Sequence, residues 1–412
     1  MDDGSTDRRR LLVLGAGPGQ LDLLEVARRV GLFIIAVDRD PAAPGFRFAD
    51  RRAIISVEDE PGIERLAEAE RIDAIIAPGI DWSVGIAARV AARLNLPHPV
   101  EPEAALLTTS KLRQRERLAE AGIPQPEYEL CGTPAETADA ADRIGYPCVL
   151  KPTDRQGQHG LGVVEAPGGL DRAIEEAFTA SRSRAVLVEE LVDGPEVTVN
   201  GFLVAGHFHP LTVTDRVLAD PPAFGVALAH VWRSLLEPAQ VGAAVETAAA
   251  AAAALGVSNG VTYTKIRIAG KGPRVGEVAA RLGSGHDADL CRVALGVNLN
   301  ELALASAFGD EIPQQALVPS QRVGGACVRF LVTPPGELEA VEGVQQAQAV
   351  DGVDRVWIYR RRGHRFGTLR RNSDRAGAIL AVGDTAEEAV ERASRAAECI
   401  RFDTVVAALA EA

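Results

Sequence analysis

Along the first hundred residues, short apolar runs alternate with segments in which apolar residues recur every three or four positions. LLVLG, FIIAVD and AIIAPG read as buried strands, while Leu21 to Val30, the segment around Glu64 and Val84 to Leu94 carry the helical period. Strand and helix in repetition predict a doubly wound α/β unit with a parallel sheet over residues 1–105. A helix follows from Lys111 to Ala121, stopped by Gly122 and the pair Pro124 and Pro126. The texture then changes: CVLKP, GVVEA, AVLVEEL, EVTVNGFLV and HFHPLTVT are strand-like, and DRQGQHGLG makes a glycine-rich turn between the first two. Ala248 to Ala254 is a helix of small residues suited to close packing. After about Val318 the pattern resets. ACVRFLVT, RVWIYR and AILAVG predict strands, and GDTAEEAVERASRAAECIRF predicts an amphipathic helix with Thr385 and Glu388 spaced as a capping box. A separate α+β domain is expected over residues 318–412.

One stretch, YTKIRIAGKGPRVGEVAAR from Tyr263 to Arg281, predicts a hairpin turning at Gly270, Lys271 and Gly272. With Lys271 at the centre, Lys265 falls opposite Glu277 on one face of the ladder. That pairing is either a plain salt bridge or an altered catalytic site.

Composition narrows the classes. The chain has 412 residues, enough for two to four domains with buried cores, and a formal net charge of −13 with no large basic cluster, which argues against nucleic acid as a partner. Its five cysteines are scattered and form no C-x-x-C pair, so neither a disulfide framework nor a zinc knuckle is expected and a reducing cytoplasm is favoured. No apolar run approaches the roughly 20 residues that a membrane span needs. The cations are informative: of 44 Lys and Arg, four are lysines, at 111, 151, 265 and 271, leaving 40 arginines. In a chain that uses Arg wherever any cation serves, a retained lysine is a candidate for a role that needs a compact point charge.

Three pieces could carry chemistry. VLKPTDRQGQHGLGVV delivers Lys151 on a strand and then a loop with Gly157, Gly160 and Gly162, whose amides can line a concavity for phosphate; it lacks the Walker A spacing, and on its own a structural turn is the simpler reading. VLVEELVDGPEVTVNGF ends one strand in Glu189 and Glu190 and opens the next at Glu196, carboxylates able to accept from an amine or a sugar hydroxyl, or to sit solvated at an edge. GEVAARLGSGHDADL sets Glu277 and Arg281 just before a glycine-rich turn, an arrangement that suits metal-bridged phosphate chemistry or a structural ion pair. Two weaker signals lie in the front unit. GAGPG with Asp38 imitates a dinucleotide fingerprint but places Gln20 at the third glycine, so a tight strand-to-helix turn is preferred, and Asp81 stands at a strand end where substrates approach or helices are capped.

Taken together, in this order and spacing, the motifs resemble the ATP-grasp superfamily over nearly the whole chain: a Rossmann-like front domain, a helical bridge bearing SKLRQRERLAEAGIPQP, GYPCVLKP, the glycine loop, VEELVDGPEVTV and GEVAARLGSG. Within it, the EVAARLGSG form and FGTLRRNSDRAGAILAVGDTAEEA look most like L-amino acid ligases; biotin carboxylases and phosphoribosylglycinamide-type enzymes are more distant cousins. The fold so implied is α/β and α+β: a front domain over 1–105, an ATP-grasp domain over 106–317 with a lid at about 125–190, and a C-terminal α+β domain over 318–412.

The resemblance implies ATP and Mg2+ as cofactors. Lys111 and Lys151 would neutralise ATP phosphates; Gln156, Gly157, Gln158, His159 and Gly160 would form the loop closing over them. Glu189 and the Glu190-Leu191-Val192 backbone would meet the adenine, and Glu196 the ribose. Glu277 would hold magnesium, Arg281 would bind an acyl phosphate, and Gly283, Ser284, Gly285, His286 and Asp81 would see substrate. The implied reaction joins a small-molecule carboxylate, an amino acid or similar acid, to an amine by way of an acyl phosphate; dimerisation is an expectation of the family only.

One residue departs from the pattern. Relatives place Glu or Gln where this chain has Lys265, and an ammonium cannot ligate a cation; at about 4 Å and an effective dielectric near 20 it would repel each unit of charge by roughly 4 kcal/mol. Three readings stand: a one-metal enzyme in which Lys265 supplies the second cation's charge, a protein that has lost ligase activity and kept nucleotide or metabolite binding, or a hairpin register off by one.

Overall fold

In a computed structural model, the chain is described over residues 8–155, 158–220 and 223–405. The front unit alternates as the pattern predicts: β1 (Arg10–Leu14), α1 (Leu21–Arg29), β2 (Phe33–Val37), β3 (Arg51–Ala53), α2 (Glu60–Glu70), β4 (Ala74–Ile76) and α3 (Asp81–Arg93). Its four strands are parallel, in the order β3-β2-β1-β4. The fingerprint-like turn after β1 is explained here, because Asp38 accepts the Ala16 amide at 2.9 Å and so ties down the turn. Helices α4 (Pro102–Thr109) and α5 (Lys111–Glu120) bridge to the rest.

Next comes a small module of β5 (Tyr128–Cys131), α6 (Pro134–Ile144), β6 (Cys148–Pro152), β7 (Gly162–Val164), α7 (Leu170–Ala180) and β8 (Val186–Glu190). Its antiparallel sheet, β5-β8-β6-β7, closes over a core drawn from its own residues, including Leu150, Val164, Ile174 and Val188. A module with a private core can move as a unit, which is what a lid requires.

The body is an eight-stranded antiparallel sheet. It contains β9 (Glu196–Val204), β10 (His207–Leu218), β11 (Ala227–Trp232), β12 (Gly260–Ala269) and β13 (Gly272–Ala279), backed by α8 (Pro238–Ala254), whose buried Ala244, Ala248, Ala251 and Ala252 permit close approach. Helices α9 (Asp287–Leu295) and α10 (Leu299–Ala307) follow. The C-terminal segment adds β14 (Gly325–Leu331), β15 (Gly336–Glu342), α11 (Val344–Gln348), β16 (Val353–Ile358), β17 (Arg365–Phe366), β18 (Gly377–Gly383), α12 (Ala386–Cys399) and β19 (Arg401–Val405). Thr385 caps α12, its hydroxyl accepting the Glu388 amide at 3.2 Å, but the expected box is not closed: the Glu388 carboxylate accepts from the Asp384 amide at 2.6 Å and not from that of Thr385.

This last segment, expected as a separate domain, shares a sheet with the body. β11 pairs with β14, so the body sheet runs β13-β12-β9-β10-β11-β14-β18-β16, and only β17-β15-β19 form a sheet apart. The reset in pattern near Val318 marks a chain connection, whereas the backbone hydrogen bonds of β11 needed a partner that local sequence does not reveal. One core also runs from Leu23 and Leu24 through Leu290 and Leu304 to Val328 and Leu380, joining the front unit to the C-terminal segment.

Lys265 does pair with Glu277, although the turn is tighter than expected. Ala269 faces Gly272, and the register shifts between Lys265 and Ile266, leaving Gly276 as an extra residue. This bulge restores the predicted partner.

Candidate active site

A cavity of about 540 Å³ lies where front unit, lid, body sheet and C-terminal segment meet. Helix α5 starts in its wall. Ser110 caps the helix, accepting the Arg113 amide at 3.4 Å, and Lys111 reaches the lid, where Nζ donates to the Arg155 carbonyl. Burial lowers the Lys111 pKa against the pull of Glu277, Asp81 and Glu189. Each of those carboxylates is bound to another cation, so Lys111 has charge to offer a ligand.

Lys151, delivered by β6, bonds Glu189 at 2.6 Å, and Glu189 bonds Arg115 of α5 at 2.9 Å. Burial would raise the Glu189 pKa, but two cations on one carboxylate hold it at about 2. Burial also dominates at Lys151 and brings it down to about 8. Arg115 donates further to the carbonyls of Val275 and Gly276, at 3.0 and 2.7 Å, which pins the lid to the bulge in β13.

Glu189, expected at the adenine, is the buried centre of an ion triad, 4 % exposed. Glu190, Leu191 and Val192 are not in the cavity wall. The amides of Glu190 and Leu191 are spent on the carbonyls of Glu127 and Pro147, because β8 ends within the lid's own hydrogen-bond ladder. Glu196 is in the wall, held by Arg216 at 2.9 Å and Arg267 at 3.2 Å.

On the opposite strand pair, Lys265 Nζ donates to Glu277 Oε2 at 2.7 Å, both in the wall. Burial disfavours the Glu277 charge, but Lys265, Arg281 and Lys111 outweigh it and hold the pKa far below the usual carboxylate range. Arg281 donates to Asp81 at 2.5 Å across 200 residues of sequence, and stands 5.7 Å over the Tyr263 ring. Asp81 is thus less a helix cap than the partner that aims Arg281 into the cavity.

The turn after Arg281 needs its glycines. A Cβ at Gly283 would fall 2.2 Å from Asp287 Oδ2, and one at Gly285 would fall 2.5 Å from His230 Cε1. Ser284 and Gly285 reach the wall and Gly283 packs behind it. His286 is corrected: it is not in the wall but buried, 3 % exposed, between Asp22 and Tyr359, and Tyr359 is the residue that meets the cavity. Of the glycine loop, Gln158 and His159 border the cavity, Gly160 turns with φ +70° against Pro152 and Ala180, and Gln156 and Gly157 lie outside the described residues.

Several wall residues carried no sequence signal. Arg216 donates to the Tyr263 hydroxyl at 2.7 Å, Arg375 packs 3.7 Å over Phe330, and Arg360 stands close by. In a chain with so many arginines nothing marks these three, and Tyr359 looks like one more apolar strand residue. Burial, with repulsion from Arg216, brings Arg375 down to about 10 against the opposing pull of Tyr359, Tyr263 and Asp287.

Residues 144–288 match the family model of the ATP-grasp domain, and residues 329–405 match that of the L-amino acid ligase C-terminal domain 2. Among curated proteins, the chain is 29% identical over 394 residues to an uncharacterized protein of Sinorhizobium fredii, covering 92% of this chain and 79% of that one. It is 28% identical over 411 residues to a formate-dependent phosphoribosylglycinamide formyltransferase of Burkholderia cenocepacia, covering 96% of each. Among solved structures, the L-amino acid ligase of Bacillus licheniformis aligns with a TM-score of 0.82 at 22% identity, over 97% of this chain and 100% of that one, a likeness of fold. Residues 144–288 are an ATP-grasp domain, and the chain as a whole takes the fold of the solved ATP-grasp-type structures it aligns with.

The family implies ATP and Mg2+, and the wall can be tested against both. Lys111 and Lys151, with Arg281 in the same wall, fit a polyphosphate, the wall carboxylates Asp81, Glu196 and Glu277 each being paired with a cation. Glu277 fits one magnesium ion. Its neighbour on the ladder is an ammonium, which cannot ligate a cation, so at this strand pair the protein offers magnesium a single carboxylate. No helix of the described residues is long and apolar enough to cross a membrane.

Proposed function

We propose that the protein is an ATP-dependent carboxylate–amine ligase acting on amino acids or similar small acids. The observation that carries this reading is that Lys111 of α5, Lys151 of β6, Glu277 of β13 and Arg281 of the turn after it converge on one cavity. The amino-acid class is supported by the match of residues 329–405 to a domain of L-amino acid ligases.

In this mechanism a carboxylate oxygen of the acid takes the γ-phosphoryl group of ATP, and ADP leaves. The amine nitrogen then forms a bond to the acyl carbon, the C–O bond to phosphate breaks, and amide and inorganic phosphate are released. Lys111 and Lys151 spread the charge of the phosphates. Arg281, aimed by Asp81, holds the acyl phosphate and the tetrahedral species that follows. A magnesium ion at Glu277, when bound, would neutralise phosphate charge. The lid keeps water from the acyl phosphate.

A second reading has a specific observation in its favour: the Lys265–Glu277 bond occupies the one carboxylate suited to magnesium. It describes a protein that binds nucleotide or metabolite without turnover. The test is phosphate release and amide formation with ATP, Mg2+ and pools of amino acids, in the wild type and in Lys265→Glu. Turnover by the wild type that depends on an amino acid excludes the second reading; a silent wild type beside an active Lys265→Glu excludes the first.

A further inference from the structure

His286 joins three modules that are far apart in sequence. Its Nδ1 lies 2.5 Å from Asp22 Oδ2 on α1, its Nε2 lies 2.5 Å from the hydroxyl of Tyr359, and its ring stacks on Trp357 at 3.8 Å. The residue takes a left-handed backbone conformation, φ +60°, to turn the ring inward. Both ring nitrogens are committed, and the chain of bonds ends at a side chain in the cavity wall. A histidine that only filled the core would not need to reach the site. The geometry points to Asp22, His286 and Tyr359 forming a proton relay that takes the proton released when the amine attacks.

The inference rests on the ligase reading and names how that reaction disposes of its proton. Tyr359 donates to His286 Nε2, which leaves lone pairs on its oxygen for an amine N–H in the cavity. As the C–N bond forms and phosphate leaves, the proton on nitrogen passes to the Tyr359 oxygen while the phenolic proton passes to His286 Nε2. The imidazolium so formed is stabilised by Asp22, the logic by which a buried carboxylate orients a histidine base. Release of products returns the proton to solvent.

A second observation lies at the inner end. Asp22 Oδ1 and Asp289 Oδ2 are both buried without a partner when each residue is a bare carboxylate. A proton on Asp289 shared with Asp22 satisfies both atoms. Burial, then repulsion from Asp22, pushes Asp289 up to about 7. At Asp22 burial works the same way, but His286, the bond from Asp289 and Arg355 outweigh it and hold its pKa below the usual range. The other charges facing this chain are Arg292 at Asp289 and Arg360 and Arg375 at Tyr359. They favour the anionic inner end and disfavour any cation that lingers at the outer end.

The test compares Tyr359→Phe and His286→Gln with the wild type. Acyl phosphate is trapped with excess hydroxylamine, a weakly basic nucleophile whose adduct is acidic enough to lose its proton to water without a protein base, and amide formation is followed across pH with the more basic amine substrate. The relay is expected to leave hydroxamate formation within a fewfold of wild type in Tyr359→Phe, to lower amide formation by about 10²-fold, and to remove a limb of its pH profile. Equal loss of hydroxamate and amide, or no loss, overturns the relay. Absence of both products in the wild type overturns the ligase reading itself. The hydrogen-bond chain is checked without turnover by proton NMR. A strongly deshielded His286 Nδ1 proton is expected in the wild type and is lost in Asp22→Asn, and its absence from the wild type overturns the relay whatever the activity.

Discussion

At Glu189 a single carboxylate, buried between Arg115 and Lys151, holds the lid to helix α5 and to the bulge of β13. Removing its charge strands two buried cations, so Glu189→Gln is expected to lower stability by about 3–5 kcal/mol in denaturant unfolding. The sign of its pH dependence follows from a depressed pKa: the stabilisation is complete above the ordinary value of 4.5 and is lost as pH falls towards about 2. The gap between wild type and Glu189→Gln is therefore expected to narrow over that window. A gap that stays constant would contradict the triad. Lys151 gives the second residue-scale expectation. Because burial brings it to about 8, ATP affinity measured by calorimetry is expected to weaken as pH rises through that value, and Lys151→Arg, protonated throughout, flattens the dependence. The three lysines of the cavity wall, Lys111, Lys151 and Lys265, were legible because lysine is scarce in the chain. Arg115 was not, since KLRQRERL reads as an ordinary solvated helix face and its burial depends on a lid strand some seventy residues away.

At the scale of elements, the hairpin of β12 and β13 is instructive. The expected pairing of Lys265 with Glu277 was read from a turn one residue too long, and an extra Gly276 in the ladder compensates. Alternation along a strand carries no mark of such a bulge, so the partner was legible and the local geometry was not. The turn from Arg281 to His286 repeats the lesson: its glycines were visible, while the reason for them was the crowding of Asp287, Tyr263 and His230 from other elements. Gly283→Ala puts a carbon into space held by Asp287 and Tyr263. It is expected to cost about 1–3 kcal/mol in unfolding and to lower turnover beyond what stability explains, because Arg281 sits on the same turn. Wild-type stability and turnover in Gly283→Ala would show that the turn yields freely and does not aim Arg281.

For the whole molecule, the order of motifs identified the fold, because each module has its own hydrophobic period, and the lid even has its own core. The continuous body sheet was not legible: the pairing of β11 with β14 spans about a hundred residues, and no local pattern encodes a partner at that distance. Nor was the convergence of Asp22, His286 and Tyr359, one from each of three modules. The ligase reading depends on these modules meeting around a cavity in which a carboxylate oxygen is phosphorylated. The most direct measurement follows that oxygen: an acid labelled with oxygen-18 in its carboxylate is incubated with ATP, Mg2+, an amine substrate and the wild-type protein, and the released phosphate is analysed by mass spectrometry. The expected result is one labelled oxygen in inorganic phosphate for each amide formed, with ADP as the other product. Amide formed with unlabelled phosphate, or phosphate released from ATP with no amide at all, would contradict the acyl phosphate and with it the assignment of the site.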